Sequence, residues 1–284
     1  GVTVDFRAFL LATGGLDAAQ GHFATCIRAF GIRHTEAQLR VSRVDFAVDI
    51  LASWFEPNRE ALVVPPGTHI QEYTDLESET HSIGARVSGL RAGAIANRQL
   101  AIYDKRAEVI AKGKMGWLKI WNDNLDKSDL PPLDLKSRDQ SQVWRFELRM
   151  GSKQLRNRWE MRSWSDLRAV IGDALTDFTQ RIRYTAPTAD SNRARWPAHE
   201  LWDMVEAVIA ADLAAMRLSA IAAAALEQAG KQIEGAACAF GSGSDGCADH
   251  ATRCLLTCFA LLPQPILDDA QSRNFLNDPV FGRI

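Results

Sequence analysis

Val143-Trp144-Arg145-Phe146-Glu147-Leu148-Arg149-Met150 alternates apolar and charged residues. Successive side chains of an extended chain point to opposite sides, so Trp144, Phe146, Leu148 and Met150 share a buried face and Arg145, Glu147 and Arg149 a polar one. The same period of two runs through Leu39 to Ile50, where Val44, Phe46 and Val48 oppose Arg43, Asp45 and Asp49. It returns in Asn97 to Tyr103, where Leu100 and Ile102 oppose Tyr103. Three such strands are expected to pair in one antiparallel sheet over a helical layer, with their polar faces lining a common surface. A further strand is expected in Thr80 to Ser88, paired to the Asn97 strand across a Gly89 to Gly93 turn.

Outward from these strands the pattern becomes helical. Val2 to Phe6 reads as a short strand, and Asp17 to Phe30 as a helix started by the Gly14-Gly15 break. Gly113 to Gln140, with Pro131-Pro132, reads as an insertion carrying a short amphipathic helix around Trp117 to Trp121. Ser152 to Trp159 and Ser165 to Arg183 read as helices, the second capped by Ser165. Thr185 to Pro197 is the expected domain boundary. Beyond it, Ala198 to Lys231 and Cys247 to Leu262 read as alanine-rich helices joined by the linker Phe240 to Gly246. The expected fold is therefore α+β: a central antiparallel sheet with flanking helices over residues 1–184, and a C-terminal α-helical module over 198–284. The chain opens on Gly1 rather than Met, which is read as a trimmed start with an early strand missing.

With 284 residues, 46% of them hydrophobic, the chain can bury one ordinary core and a smaller second one. Its 33 basic and 35 acidic side chains give a net charge of -2, so any nucleic-acid surface must be local. Such a surface is expected in Lys136 to Arg168, where nine basic residues face four acidic ones and Trp144, Trp159 and Trp164 are interspersed. Cations mixed with aromatics suit a single strand, whose phosphates pair and whose bases stack. Arg98, Arg106, Arg149, Lys153 and Arg156 are the candidate DNA contacts. An odd cysteine count without a secreted disulfide composition fits a reducing cytoplasm. Glu206, Asp212 and Arg217 interrupt the most apolar run, Val205 to Leu226, which excludes it as a bilayer span. Cys247, His250, Cys254 and Cys258 fall at helical spacing on one face and are read as packing residues, because a single straight helix cannot wrap a tetrahedral zinc ion.

The common polar surface would hold carboxylates, arginines and one phenol. A phenol has a pKa of about 10 and attacks poorly at neutral pH until a base, a metal or a cation stabilises its anion. Lys105 stands two residues beyond Tyr103. Aspartate and glutamate oxygens suit Mg²⁺ or Mn²⁺, which can grip a phosphate oxygen, and arginines can hold neighbouring phosphates. Those are the parts needed to break a phosphodiester. Tyr73 and Tyr184 are the other tyrosines and lack such surroundings in the sequence.

The ordered set Arg43-x-Asp45-x-x-x-Asp49, then Ile102-Tyr103-Asp104-Lys105-x-x-Glu108, then Trp144-Arg145-Phe146-Glu147 resembles the replication initiation factor family of plasmid rolling-circle initiators. That family also includes relaxase-like nicking proteins of some conjugative elements. The likeness covers roughly Leu39 to Trp159. It implies a fold related to the HUH endonucleases and an attack by Tyr103 on one strand at an origin, leaving a 5′-phosphotyrosyl ester and a free 3′-OH. Asp45 and Glu147 match the family's acidic strand positions and are the implied Mg²⁺ or Mn²⁺ ligands, with Asp49 a third. Lys105 matches the lysine of the tyrosine motif, and Glu108 the acidic residue that follows it. Arg43, Lys105 and Arg145 would counter charge at phosphorus. The implied partners are origin DNA, single-stranded or cruciform, and a helicase or other replication protein, with the C-terminal module offering a surface for a homodimer.

The family often carries a second acidic residue where this chain has Arg149, and no His-hydrophobe-His pair occurs among the six histidines. The alternatives are a relaxase of a mobile element using the same chemistry, a non-catalytic DNA-binding protein on the same scaffold, or a structural oligomer built on the alanine-rich helices.

Overall fold

The computed structural model describes residues 1–79 and 82–211. In chain order its elements are α1 (Ala8–Ala29), β1 (Arg43–Leu51), β2 (Leu62–Val63), β3 (Ile70–Glu79), β4 (Ser82–Gly93), β5 (Arg98–Asp104), α2 (Lys105–Ala111), α3 (Gly116–Asp126), α4 (Arg138–Ser141), β6 (Val143–Gly151), α5 (Ser152–Asn157), α6 (Trp164–Arg181) and β7 (Arg183–Tyr184). A further helical stretch covers 200–211.

The expected sheet forms. Five antiparallel strands lie in the order β1-β6-β5-β4-β3, and β2 pairs with β7 in a separate ribbon. Residues of like parity face each other across β1, β6 and β5, because Phe46 pairs with Leu148 and Leu148 with Leu100. The even-numbered side therefore becomes core. Leu100, Ile102, Trp144, Phe146, Leu148 and Met150 are all buried there. Arg98, on the same side of β5, lies over the Phe178 ring and bonds Asp177, which places α6 against this face. Burial of so much apolar area is the main drive for the layer.

The odd-numbered side is covered at one end only. Val143 packs there in a cluster with Val109, Trp117, Trp121 and Leu133, so α2, α3 and the loop after α3 roof that end, while at the other end Arg43, Asp45 and Ala47 on β1 are exposed.

Several local expectations change. Val2 to Phe6 forms no strand, and an unexpected helical segment beginning at Ala8 precedes the Gly14-Gly15 pair. The expected break at Gly14-Gly15 is present: Gly15 takes φ +67° and ψ -168°, a non-helical conformation that escapes a Cβ penalty only as glycine, so α1 consists of two helical segments that meet there. Gly89 to Gly93 lies within β4, and the chain reverses at Ala94 to Asn97, where the Ala94 amide donates to the Arg98 carbonyl (3.0 Å). The cap of α6 is Ser163, in a reciprocal capping box with Asp166. Ser165 instead donates its amide and hydroxyl to Glu36 (3.0 and 2.7 Å). Thr185 to Pro197, expected as a boundary, is tied into the first compact unit, which runs from Gly1 to Ile209. The Thr185 amide and hydroxyl both donate to the Ala61 carbonyl at 2.8 Å. The linker Phe240 to Gly246, the helix Cys247 to Leu262 with its cysteines and most of the expected C-terminal module lie outside the described residues. Among the described residues no helix is long and apolar enough to cross a membrane.

Candidate active site

Strand register sets the odd face out as a grid. One row reads Asp45, Arg149, Gln99; the next Ala47, Glu147, Ala101, Arg91, Gln71; the next Asp49, Arg145, Tyr103, Gly89, Tyr73. Glu147 is thus flanked on both neighbouring strands by alanine, and Asp45 and Tyr103 sit one diagonal step away on opposite sides of it. Diagonal neighbours in a sheet are about 7–8 Å apart, within reach of long side chains. The small flanking residues leave room for the Glu147 side chain between the two strands, and Ala101 lies buried beneath its neighbours at 1% exposure.

Asp45 and Glu147 interact directly. Burial and the charge of Glu147 push the Asp45 carboxyl above its usual range, against the opposing pull of Arg43. Burial would raise Glu147 too, but Arg149, Arg145 and a hydrogen bond with Asp45 hold it below the usual range. Each carboxylate also has an arginine. Arg43 holds both oxygens of Asp45, Nε donating to Oδ1 (2.7 Å) and Nη2 to Oδ2, and Arg149 bridges Glu147 Oε2 (2.7 Å) and Gln99 Oε1 (2.9 Å).

Tyr103 stands at the border between the open face and the helical roof. Its hydroxyl has no hydrogen-bond partner among the described residues. Burial, then the nearby Glu147 charge, raises its pKa well above that of an ordinary phenol, while Arg145 directly opposite acts in the other sense. Gly89 lies opposite Tyr103 on β4, and a Cβ there would come within 2.8 Å of the Ile102 carbonyl oxygen and 3.1 Å of Tyr103 Cβ. Only glycine leaves the nucleophile candidate its place.

Asp49 is not brought to the carboxyl pair. It lies two residues beyond Ala47 and takes a bidentate bond from Arg145 (2.6 and 2.7 Å) and another from Trp121 Nε1 (2.9 Å). Both oxygens of Asp49, like those of Asp45, are taken by an arginine, but Asp49 has a third donor in Trp121 and its arginine is buried, whereas Arg43 is 44% exposed and can swing away from Asp45. Arg145 is buried beneath Trp117, 4.2 Å from the ring centroid, so its charge is fixed by Asp49 and the roof. Lys105, 3% exposed, sits 5.8 Å from the Tyr103 ring centroid and donates to Glu108 Oε2 (2.5 Å). Burial, then Arg145, lowers its pKa against the pull of Glu108. Lys112 and Lys114 also bind Glu108, and the three lysines overcome its burial and hold it at about 2. Glu108 therefore anchors α2 rather than the carboxyl pair.

Two expected DNA contacts are turned elsewhere. Arg98 is on the core side of β5, bonded to Asp177 and Gln154, and Arg106 is spent on Ser141 Oγ (2.8 Å) and the Leu135 carbonyl (2.5 Å). Arg149 is on the polar face, and Lys153 and Arg156 are exposed on α5, which leaves β6 at Gly151 opposite Arg43. Residues that the sequence reading missed include Trp117 and Trp121, which fix Arg145 and Asp49, and Gln99, which orients Arg149. The two alanines beside Glu147 were visible as small residues in phase with the acidic positions.

The donor set suits a hard cation with few protein ligands. Two adjacent carboxyls, one with its ionisation disfavoured by the other, gain from a cation between them, and Mg²⁺ commonly takes one or two carboxylates and fills its shell with water and phosphate oxygens. No group of three or more metal-ligating side chains occurs among the described residues, so this would be a two-ligand site.

No protein-family model matches the chain, and no curated protein matches it. Among solved structures it is similar to a rolling circle replication initiator protein from Geobacillus stearothermophilus, with a TM-score of 0.34 and 14% identity over 60% of this chain. The matched region spans 56% of that structure.

Proposed function

We propose that the open polar face nicks one strand of origin DNA, with Tyr103 as the nucleophile, in the manner of a rolling-circle replication initiator. The observation that carries this reading is the diagonal Asp45, Glu147, Tyr103 across three adjacent strands of one face. The phenol oxygen attacks phosphorus and the bond to the 3′-oxygen breaks. The 5′-phosphate stays on Tyr103 as an ester, and the freed 3′-oxygen takes up a proton. The energy of the broken bond is retained in that ester, so the strand can be rejoined without ATP.

In this reading Glu147, one diagonal step from the phenol, takes its proton through a bridging water. Arg145 provides fixed positive charge opposite Tyr103 and makes the phenolate less costly. Arg43, whose side chain is 44% exposed, can exchange its hold on Asp45 for a phosphate oxygen, and Arg91, exposed on the same face and bonded among the described residues only to the Tyr73 hydroxyl (2.7 Å), has donors to spare. Asp45 and Glu147 are the residues that would hold Mg²⁺ or Mn²⁺, which when bound supplies charge against the phosphate and favours ionisation of the phenol.

The test is a labelled single-stranded oligonucleotide library with a randomised core, incubated with the protein and Mn²⁺ and resolved under denaturing conditions. A covalent protein–DNA band that disappears in Tyr103→Phe supports the reading. Retained binding with no band for the unaltered protein contradicts it and favours a non-catalytic DNA-binding protein.

A further inference from the structure

Across the sheet from the Tyr103 face, three guanidiniums converge on one carboxylate. Asp177 Oδ2 accepts from Arg98 (2.6 Å), and Oδ1 accepts from both Arg158 (2.6 Å) and Arg181 (2.9 Å). Three positive charges against one negative leave a local excess of two. Arg98 is nearly buried, and its guanidinium is further held by Gln154 while its Nε has no hydrogen-bond partner. Arg158 and Arg181 are different. Their side chains are 44% and 46% exposed, and each makes one hydrogen bond, to Asp177.

A guanidinium carries five N–H donors in a rigid fork that matches phosphate oxygens. Asp177 takes only one from each of these two arginines, so most of their donors remain for another acceptor. Asp177 fixes the forks in place, which reduces the ordering cost of binding an anion. The buried Arg98 adds charge from behind, where desolvation and the other two arginines already disfavour its protonated form. A further anion would relieve that repulsion.

We infer that Arg158 and Arg181, positioned by Asp177 and backed by Arg98, form a phosphate-binding site for a nucleic-acid backbone, separate from the nicking face. A polymer is favoured over a free anion because Arg158 directly follows α5, which exposes Lys153 and Arg156. That makes the cations a continuing series along the chain. The inference takes from the proposed function only that the partner is nucleic acid, and is independent of cleavage.

The experiment keeps the two apart by using Tyr103→Phe protein without divalent metal. Binding of a fluorescent single-stranded oligonucleotide is followed by anisotropy across a salt series. For single strands, each phosphate contact contributes about 0.7 to the slope of log K against log salt. Adding Arg158→Gln and Arg181→Gln should lower affinity by about tenfold near physiological salt and reduce that slope by about 1.4. The paired Arg→Lys substitutions at these two positions keep the charge and lose the fork, so affinity should fall with little change in slope. They also keep the test decisive should the Gln protein fail to fold. Unchanged affinity and slope in either variant overturns the inference. Loss of stabilisation by inorganic phosphate, with oligonucleotide binding intact, would make this a free-anion pocket and also overturns it.

Discussion

Glu147 lies directly opposite Ala101 on β5, one diagonal step from Tyr103. The same glutamate is one diagonal step from Asp45 on the other neighbouring strand. Removing its charge with Glu147→Gln should therefore lower the rate of covalent adduct formation by about 100-fold or more, the scale of losing one preorganised electrostatic group. Asp45→Asn should have a smaller effect at saturating Mn²⁺ and a weaker apparent metal affinity. Single-turnover adduct formation across a Mn²⁺ titration measures both.

Asp49 should behave as a structural residue. Asp49→Asn leaves the buried Arg145 without its counter-ion, and breaking one side of such a pair costs about 3–5 kcal/mol. Chemical denaturation should show that loss, while the Mn²⁺ midpoint for adduct formation stays the same in the protein that remains folded. A shifted midpoint at full stability would return Asp49 to the metal site.

Gly89→Ala tests the close approach at Tyr103. The added Cβ would press on the Ile102 carbonyl and on Tyr103 Cβ, at a cost of about 1–3 kcal/mol for overpacking. Adduct formation should fall further than this destabilisation explains, because the nucleophile itself is displaced. Equal loss in Gly89→Ala and in a comparably destabilised variant far from the face would argue against it.

Acid should weaken the fold through Glu108. Its carboxyl ionises near pH 2 in the folded protein against 4.5 for an unperturbed one. The stabilisation is then complete above 4.5 and is lost as pH falls from there toward 2. Glu108→Gln should flatten that part of a stability-against-pH curve and cost stability at neutral pH. At the alkaline end, Tyr103 ionises above the ordinary phenol range, so folding loses support as pH climbs past 10. In a spectrophotometric titration Tyr103→Phe should remove a phenol that ionises above the ordinary range.

The three site-bearing strands were legible because a sheet with one buried face writes its period of two directly into the sequence. The same parity places Arg98 with Leu100 and Ile102 on the core side, so its position was available from the strand pattern although it was assigned to DNA. β3 was not legible. Gln71, Glu72 and Thr74 are all exposed, and an edge strand that is polar on both sides carries no alternation. Nor could the sequence show that Asp49 is engaged by Trp121, 72 residues away, since that contact depends on where α3 folds back over the sheet. The Gly14-Gly15 break was legible, because a glycine pair marks where helical backbone stops, whereas the helical segment that precedes it from Ala8 was not.

Mapping the DNA-linked residue probes the Tyr103 assignment most directly. Protein incubated with Mn²⁺ and the randomised single-stranded library is digested with protease and nuclease, and nucleotide-bearing peptides are sequenced by mass spectrometry. The expected result is a single phosphotyrosyl adduct on Tyr103, joined through the 5′-phosphate. An adduct on Tyr73 or Tyr184, or attachment through a 3′-phosphate, would contradict it.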